Sequence, residues 1–262
     1  MRQGLVLLAL LVVGMIAYLA LDLELTGLVP TRGGGDLLLE FLGAALQPAF
    51  DYESGAVPED WAPFFSQVFS GLWRTVVFAA AAIGLSLLVG FPLGLLASSL
   101  TPVPVRAPAR VLIALMRSVH ELLWAVVLLA AVGLNTAGAV VALTIPYAGT
   151  LAKIFSEMID EAPPQAFRAL QLAGATRLQS FFAGLLPRAA PDMAAYAFYR
   201  FECALRSSAV LGFFGYPTVG YYLKLSFENL HFREVWTWLY VLIIVVLLLE
   251  AWSSALRRRF AA

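Results

Sequence analysis

Two long runs without a charged side chain constrain the fold of this sequence more than any other feature. Thr75–Val105 spans 31 residues and Leu5–Leu21 spans 17. About 20 apolar residues in a helix cross the hydrocarbon core of a bilayer. Only 13% of the residues are charged, whereas about a quarter of the residues in a soluble domain are charged. The sequence therefore predicts an integral membrane protein.

Apolar runs of helical length predict about six membrane-spanning helices. A cleaved signal peptide is the alternative interpretation of the first run. Six spans place both termini on the cytosolic side, where basic residues concentrate. The predicted spans lie near residues 5–21, 71–99, 109–132, 137–158, 191–212 and 234–256. The basic residues on the cytosolic side are then Arg2, Arg106, Arg110, Lys153, Arg168, Arg177, Arg188 and Arg257–Arg259.

Composition along the chain divides it into three segments. They are an N-terminal spanning helix (1–22), an acidic loop (23–69) and an apolar core (70–258). Residues 22–66 hold eight acidic side chains and one basic side chain, Arg32. Because basic residues mark the cytosolic side, the loop is predicted to be external. The run Gly33–Gly35 is predicted to be a flexible tether within it.

Several classes of function are disfavoured by the sequence. His120 and His231 are too far apart to suggest a metal centre, and the single cysteine, Cys203, cannot form an intrachain disulfide. No basic patch suggests nucleic acid, and no G-x-x-x-x-G-K-[ST] loop for ATP is present. No nucleophile with a matching base is visible. The chain is therefore predicted not to be an enzyme and to hold no cofactor itself.

The segment 163–188 is polar and carries arginines, although it lies inside the apolar core. The Pro163-Pro164 pair suits the first turn of a helix, and Gly174 can take the left-handed conformation that ends it. Thr176 followed by Gln179 is typical of a capping box that starts a second helix. The sequence therefore predicts a cytosolic helix–turn–helix.

Apolar side chains on this segment are placed to enter a groove of a partner protein. Phe167, Leu170 and Leu172 supply the apolar surface, while Arg168 and Arg177 stay polar. An ordinary amphipathic cytosolic loop is the alternative.

The spacing of this segment resembles the cytoplasmic loop by which permease subunits of ABC importers bind their ATPase partners. Gly174 and Pro187 keep the family's separation, Leu186 precedes the proline, and Ala169 fits the family's Glu-Ala-Ala triplet. Arg168 stands in place of the glutamate, Leu170 in place of the second alanine, and Gly184 in place of an isoleucine. The coupling residues implied are Phe167, Arg168, Ala169, Leu170, Gly174, Arg177 and Pro187.

Residues 196–220 carry a more specific resemblance, to the phosphonate-type ABC permease family. At the family's spacing they contain Tyr199-Arg200-Phe201-Glu202, Arg206, Val210-Leu211-Gly212, Gly215 and Gly220. Tyr216, Pro217 and Thr218 stand where the family has small residues. A second run resembles the family's third-span motif: Arg117-Ser118, Glu121-Leu122 and Trp124, with His120 where proline is common. The resemblance covers about residues 70–258.

This resemblance implies an all-α membrane protein with the type I ABC importer permease fold and a cytoplasmic coupling helix–turn–helix. It also implies a complex in the bacterial inner membrane with two permease subunits, here expected to be a homodimer. Two cytoplasmic ATPase subunits would hold ATP and Mg²⁺, and an external solute-binding protein would deliver the cargo. The expected cargo is a phosphonate or a related oxyanion such as phosphite or hypophosphite.

Charged residues inside predicted spans are costly and usually face protein or water. Glu202 and Arg206 are four residues apart and are predicted to pair, as are Arg117 and Glu121. Such charges either line or gate an anion path, with Arg206 as the first choice for contacting the anion, or form a static interhelical network. The expected path or gate residues are Arg117, Glu121, Arg200, Glu202, Arg206, Gly212, Gly215 and Gly220.

Two further alternatives stay open from the sequence. The glycine-rich stretch 212–220 is either a short re-entrant piece near the outer mouth or an ordinary external loop. The alternative function is a secondary carrier that couples to ions through Glu121 or Glu202. A carrier of that kind has no need for a cytosolic helix–turn–helix.

Overall fold

Helices make up the regular structure of the chain. The computed structural model describes residues 2–22, 33–54 and 62–260, and these ranges contain no strand. They divide into two compact units, Met1–Gln47 and Pro48–Ala262. The predicted all-α class is confirmed. The helices are α1 (Arg2–Ala20), α2 (Gly34–Ala44), α3 (Phe64–Ala97), α4 (Val103–Ser118), α5 (Glu121–Val132), α6 (Thr136–Glu161), α7 (Gln165–Leu172), α8 (Arg177–Ser180), α9 (Leu186–Val210), α10 (Val219–Glu228) and α11 (Phe232–Phe260).

The first unit contains α1 and α2. Helix α2 lies in the segment predicted to be a loop, so that part of the loop prediction is wrong. Gly33 has φ 88 and precedes the helix, whereas Gly34 and Gly35 lie inside its first turn and do not form a tether. The leucine-rich sequence favours a helix, and Asp36 in its first turn suits the positive end of the helix dipole. Residues 23–32 and 55–61 of the predicted acidic loop lie outside the described residues, and its last residues, from Phe64, form the first turns of α3.

Helix α6 is the centre of the second unit, and it packs against α3, α4, α5 and α9. Helix α3 approaches it closely because two glycines face its backbone. A Cβ on Gly90 would lie 2.9 Å from Ala148 O, and one on Gly94 would lie 2.8 Å from Ala152 O. Small residues permit such close contact between membrane helices. The backbones of α3 and α6 are therefore in close contact, and this pair forms the centre of the bundle.

The predicted third span is two helices rather than one. Helices α4 and α5 meet at 86°, with extended backbone at Val119 and His120. His120 is the N-cap of α5, and its Nδ1 accepts a hydrogen bond from Leu122 N–H at 3.3 Å. A cap satisfies one of the backbone donors that a new helix leaves without a partner, which makes this bend favourable.

Three described helices are long and apolar enough to cross a membrane: α3, α6 and the Phe232–Ala255 part of α11. The bent pair α4–α5 would make a fourth if it counts as one span. The apolar part of α1, Gly4–Ala20, is shorter, and α9 carries several charges. The count of six spans therefore stays a prediction.

Other helix boundaries also differ from the sequence pattern. Helix α3 begins seven residues before its predicted start at 71. A π-helical turn at Phe181–Leu185 leads directly into α9, which starts five residues before its predicted start at 191. Helix α10 was not predicted at all, because glycines and a proline precede it.

Residues 48–54 are fastened to the N-terminal end of α11, which lies beside the C-terminal end of α10. Glu234 of α11 is buried and accepts hydrogen bonds from Glu53 N–H at 2.7 Å and Ser226 Oγ at 2.8 Å. Thr237 Oγ1 donates to Ala49 O at 2.7 Å. Because a buried carboxylate needs hydrogen-bond donors, Glu234 holds this segment against the helical hairpin.

Candidate functional site

The segment predicted to couple to an ATPase forms the expected helix–turn–helix. Helix α7 ends at Leu172, and Gly174 follows with φ 92, in the left-handed region. Thr176 Oγ1 accepts a hydrogen bond from Gln179 N–H at 3.3 Å, and Gln179 Oε1 accepts one from Thr176 N–H at 2.9 Å. The predicted turn and capping box are therefore confirmed, while the coupling role stays a prediction.

The apolar residues of α7 do not all face outward. Phe167 packs against a hydrophobic cluster of its own chain, and Leu170 is half-buried beside Gly184. These two side chains are therefore only partly exposed to a partner, and their coupling role stays a prediction. Leu172, by contrast, is 90% exposed. The exposed members of the predicted coupling set are Arg168, Ala169, Gly174, Arg177 and Pro187.

Gly184 explains why α7 lies so close to the rest of the chain. A Cβ at this position would lie 3.0 Å from Phe167 N and 3.1 Å from Leu170 Cδ1. The isoleucine that the resemblance leads one to expect here would push α7 away. Glycine in place of isoleucine at residue 184 thus allows α7 to lie closer to the π-helical turn than an isoleucine would permit.

Both predicted i,i+4 ion pairs are wrong. Glu202 is 8% exposed, whereas Arg206 is exposed and donates from Nη2 to Cys203 Sγ at 3.9 Å. Arg117 and Glu121 lie on opposite sides of the α4–α5 bend, so they share no helical face. No ion pair joins either couple among the described residues.

Polar side chains of three helices form a hydrogen-bonded chain instead. Ser207 Oγ of α9 donates to Glu121 Oε1 of α5 at 2.9 Å. The Tyr147 hydroxyl of α6 lies 2.9 Å from Ser207 Oγ, and it is the donor because the serine proton goes to the carboxylate. His120 Nε2 is 3.5 Å from Glu121 Oε2. Glu121 is therefore fixed to α9.

Ser207 belongs to a polar stripe on one face of α9, which we call the α9 stripe. Its members recur every three or four residues, so they lie on the same side of the helix. The α9 stripe consists of Tyr196, Tyr199, Arg200, Cys203, Arg206 and Ser207. The predicted path residues Arg200 and Arg206 lie on it, but Glu202 does not. The other four members, Tyr196, Tyr199, Cys203 and Ser207, were not predicted as site residues, because only the fold shows that these side chains lie beside the charged groups.

Arg200 is held by two tyrosines of the α9 stripe. Its Nε donates to the Tyr196 hydroxyl at 2.8 Å. Its guanidinium carbon lies 5.2 Å from the centre of the Tyr196 ring and 5.8 Å from that of Tyr199. Among the described residues no carboxylate forms an ion pair with Arg200 or Arg206. Both cations are therefore available to an anion.

Two of the three glycines predicted to gate the path lie where backbones meet. A Cβ on Gly212 would clash with Tyr221 N, and one on Gly220 would clash with Ala209 O. Gly215 has φ 96 and ends a 3₁₀ turn. The segment folds back so that α10 packs against α3, α9 and α11. It is therefore part of the bundle rather than an ordinary loop, and the gating role of these glycines stays a prediction.

Thr75 joins the helices at this junction, although the sequence analysis did not single it out. Its Oγ1 accepts a hydrogen bond from Val219 N–H at 3.1 Å, and its carbonyl accepts one from Ser208 Oγ at 2.7 Å. A hydroxyl inside an otherwise apolar span is the signal that marks such a residue.

Comparison with known proteins identifies the family. Residues 90–262 match the family described as the binding-protein-dependent transport system inner membrane component. The chain belongs to this family. It is thus a permease component, integral to the inner membrane with several spans, as the sequence predicted.

Relatives of this chain are named as permease proteins of phosphite and phosphate transport systems. The phosphite transport system permease protein PtxC of Stutzerimonas stutzeri is 35% identical over 212 residues, which cover 78% of this chain and 75% of PtxC. The phosphate-import permease protein PhnE of Mycolicibacterium smegmatis is 31% identical over 205 residues, covering 78% of this chain and 38% of PhnE. The predicted resemblance to phosphonate-type permeases is confirmed.

The solved structures that match show the same fold. The MetNI methionine ABC transporter in an inward-facing conformation matches with a TM-score of 0.67 at 20% identity, covering 78% of this chain and 99% of that chain. The predicted type I importer permease fold is therefore confirmed. With the family established, the secondary-carrier alternative is not favoured.

Proposed function

We propose that this chain is the membrane subunit of an ATP-driven importer for phosphite, phosphonate or a related phosphorus oxyanion. The observation that carries the proposal is the α9 stripe, which presents Arg200 and Arg206 without a carboxylate partner among the described residues. Guanidinium groups bind oxyanions through charge-assisted hydrogen bonds. The names of PtxC and PhnE, which refer to phosphite and phosphate transport, support this cargo.

A second copy of the chain completes the path. Arg117, His120 and Arg206 are exposed on the single subunit. Because a charge that faces lipid is costly, such groups face protein or water in the assembled transporter. Two copies related by a twofold axis would turn both α9 stripes toward a shared aqueous path. This geometry supports a homodimer.

The energy for transport reaches the path from a partner on the cytosolic side. Two ATPase subunits hold ATP and Mg²⁺, and an external binding protein delivers the anion. Leu172 is the exposed apolar anchor of the coupling segment, and the turn at Gly174 sets the direction of α7. Apolar anchors at the centre of a contact contribute much of its binding free energy.

The coupling role predicts a difference between two neighbouring substitutions. Gly174→Val places a β-branched residue at φ 92, where a side chain costs roughly 1–2 kcal/mol or about tenfold in an equilibrium. Ala173→Val places the same side chain at φ −78, where a valine is not strained. We expect Gly174→Val to reduce ATPase co-purification and uptake about tenfold, and Ala173→Val to leave both nearly unchanged. Equal behaviour of the two variants would contradict the assignment.

The cargo is tested by uptake. Proteoliposomes with the permease, its ATPase and its binding protein should accumulate labelled phosphite, methylphosphonate or phosphate in an ATP-dependent manner. Preparations without this chain should accumulate none of them. If the complete transporter ignores all phosphorus oxyanions but imports another solute, the proposed cargo is wrong.

A further inference from the structure

We infer that Arg200 is an oxyanion-binding residue on the translocation path and that Tyr196 and Tyr199 hold it in position. This inference rests on the proposed function and adds one specific binding station to it. It also changes the order suggested by the sequence, in which Arg206 was the first choice.

The contacts of Arg200 leave one edge of its guanidinium available. Nε is used by the Tyr196 hydroxyl at 2.8 Å, while the described residues give no partner to either Nη. The guanidinium carbon also lies 5.2 Å from the centre of the Tyr196 ring and 5.8 Å from that of the Tyr199 ring, so both rings restrict the position of the group. Two parallel N–H groups in one plane match two oxygens of a phosphorus oxyanion. The Nη groups of Arg200 are therefore placed to donate two hydrogen bonds to one oxyanion, as a fork of two donors.

Arg206 lacks this support. It is exposed, and its hydrogen bond goes to the weak acceptor Cys203 Sγ at 3.9 Å. It lies six residues after Arg200, or about 9 Å further along the helix. In the proposed orientation this places Arg206 nearer the outer mouth. Arg206 thus attracts the anion, and Arg200 receives it.

The tyrosines also keep the binding weak enough for transport. A carboxylate partner would compete with the anion, whereas the faces of aromatic rings stabilise the cation without occupying its N–H groups. A station on a path must release its ion as readily as it accepts it. Aromatic support, with no salt bridge to break, satisfies both needs.

The single cysteine of the chain provides a probe of this station. Cys203 lies three residues from both Arg200 and Arg206 on the α9 stripe, and it is partly exposed. The reconstituted transporter would be treated with the anionic thiol reagent methanethiosulfonate ethylsulfonate, with and without inorganic phosphite. Mass spectrometry of the Cys203 peptide measures the labelling rate independently of transport.

The expected result is protection by phosphite that depends on Arg200. In the native protein, saturating phosphite should slow labelling of Cys203. Arg200→Gln should raise the phosphite concentration needed for half protection, and the KM for uptake, at least about tenfold, as expected for losing one charge-assisted hydrogen bond. Tyr196→Phe should give a smaller rise, because the ring stays but the acceptor is lost. Arg106→Gln, an arginine at the start of α4, is the control and should change neither quantity.

The outcomes separate this inference from the proposed function. If the native protein imports phosphite and Arg200→Gln has the same protection and the same KM, the inference is wrong and the function stands. If no phosphorus oxyanion protects Cys203 or enters, the proposed function itself fails. Should Arg200→Gln not assemble, Arg200→Lys keeps the charge but loses the fork. The Arg200→Lys variant should assemble like the native protein and show the raised KM. A native KM for Arg200→Lys would refute the inference.

Discussion

A single methyl group at residue 212 decides whether α9 and α10 can meet. The Cβ of Gly212→Ala would clash with Tyr221 N, so the two backbones must separate. Overpacking of this kind costs about 1–3 kcal/mol. Gly84→Ala is the control, because a Cβ at that glycine meets nothing within 4 Å. We expect a clearly lower thermal midpoint in detergent for Gly212→Ala and little change for Gly84→Ala. Identical midpoints would contradict the close approach.

Two pairs of polar residues should differ in how their substitutions combine. Glu121 and Ser207 share a hydrogen bond, so Glu121→Leu and Ser207→Ala, which each remove that bond, should be non-additive by about 0.5–1.5 kcal/mol. No ion pair joins Glu202 and Arg206. The effects of Glu202→Gln and Arg206→Gln on the free energy of unfolding should therefore be additive. Unfolding of the four single and two double variants measures both couplings. A large coupling free energy between Glu202 and Arg206 would show that they interact as the sequence suggested.

At the scale of elements, the attachment of residues 48–54 to α11 should depend on pH. Burial and the nearby Glu234 carboxylate raise the pKa of the Glu53 carboxyl above its ordinary value of 4.5, although His231 and Arg233 partly oppose this. The folded protein therefore holds the Glu53 proton more tightly than the unfolded chain does. Protonated Glu53 stabilises the attachment at or below about pH 4.5, and this stabilisation is lost as the pH rises through the pKa of Glu53 in the folded protein.

Glu53→Gln should remove this pH dependence. Protease resistance of residues 48–54 would be followed from pH 4.5 upward. The native segment should become easier to cleave as pH rises, while the Glu53→Gln segment should change less. Asp51→Asn removes a neighbouring carboxylate and should retain the native trend. If cleavage of the Glu53→Gln segment rises with pH as it does in the native protein, a group other than Glu53 is responsible for the pH dependence.

Local features were predictable from the sequence, and tertiary ones were not. The turn at Gly174 and the Thr176–Gln179 cap depend on residues within four positions of one another, so spacing was enough. The α4–α5 bend breaks the periodicity on which the Arg117–Glu121 pairing relied. The hydrogen bond from Ser207 to Glu121 joins residues 86 positions apart. No short-range pattern in one sequence reports such a contact.

At the scale of the whole second unit, contacts show which helix ends lie together. Arg110 Nη2 lies 3.5 Å from Asp160 Oδ2, and Arg110 Nε donates to Ala97 O at 2.9 Å, which joins the ends of α3, α4 and α6. Arg177 Nη1 donates to Leu100 O at 3.5 Å and brings the coupling segment to the same end. Arg106 and Arg188 lie near the first residues of α4 and α9, and Lys153 lies two turns before the end of α6. Basic residues thus collect at one end, which supports its assignment to the cytosol.

The last prediction concerns the orientation of the chain in the membrane. Five predicted spans separate residue 50 from the C-terminus, so these points should lie on opposite sides. Alkaline phosphatase fused after residue 50 should be active outside, and green fluorescent protein at the C-terminus should fluoresce inside. The side chains of Arg257–Arg259 lie outside the described residues, but their positive charge near the end of α11 favours the cytosol. A fusion at Gly174 is the internal control, because the coupling segment must face an ATPase. Reporters at residue 50 and the C-terminus on the same side would rule out the six-span arrangement, and an external reporter at Gly174 would remove the basis of coupling.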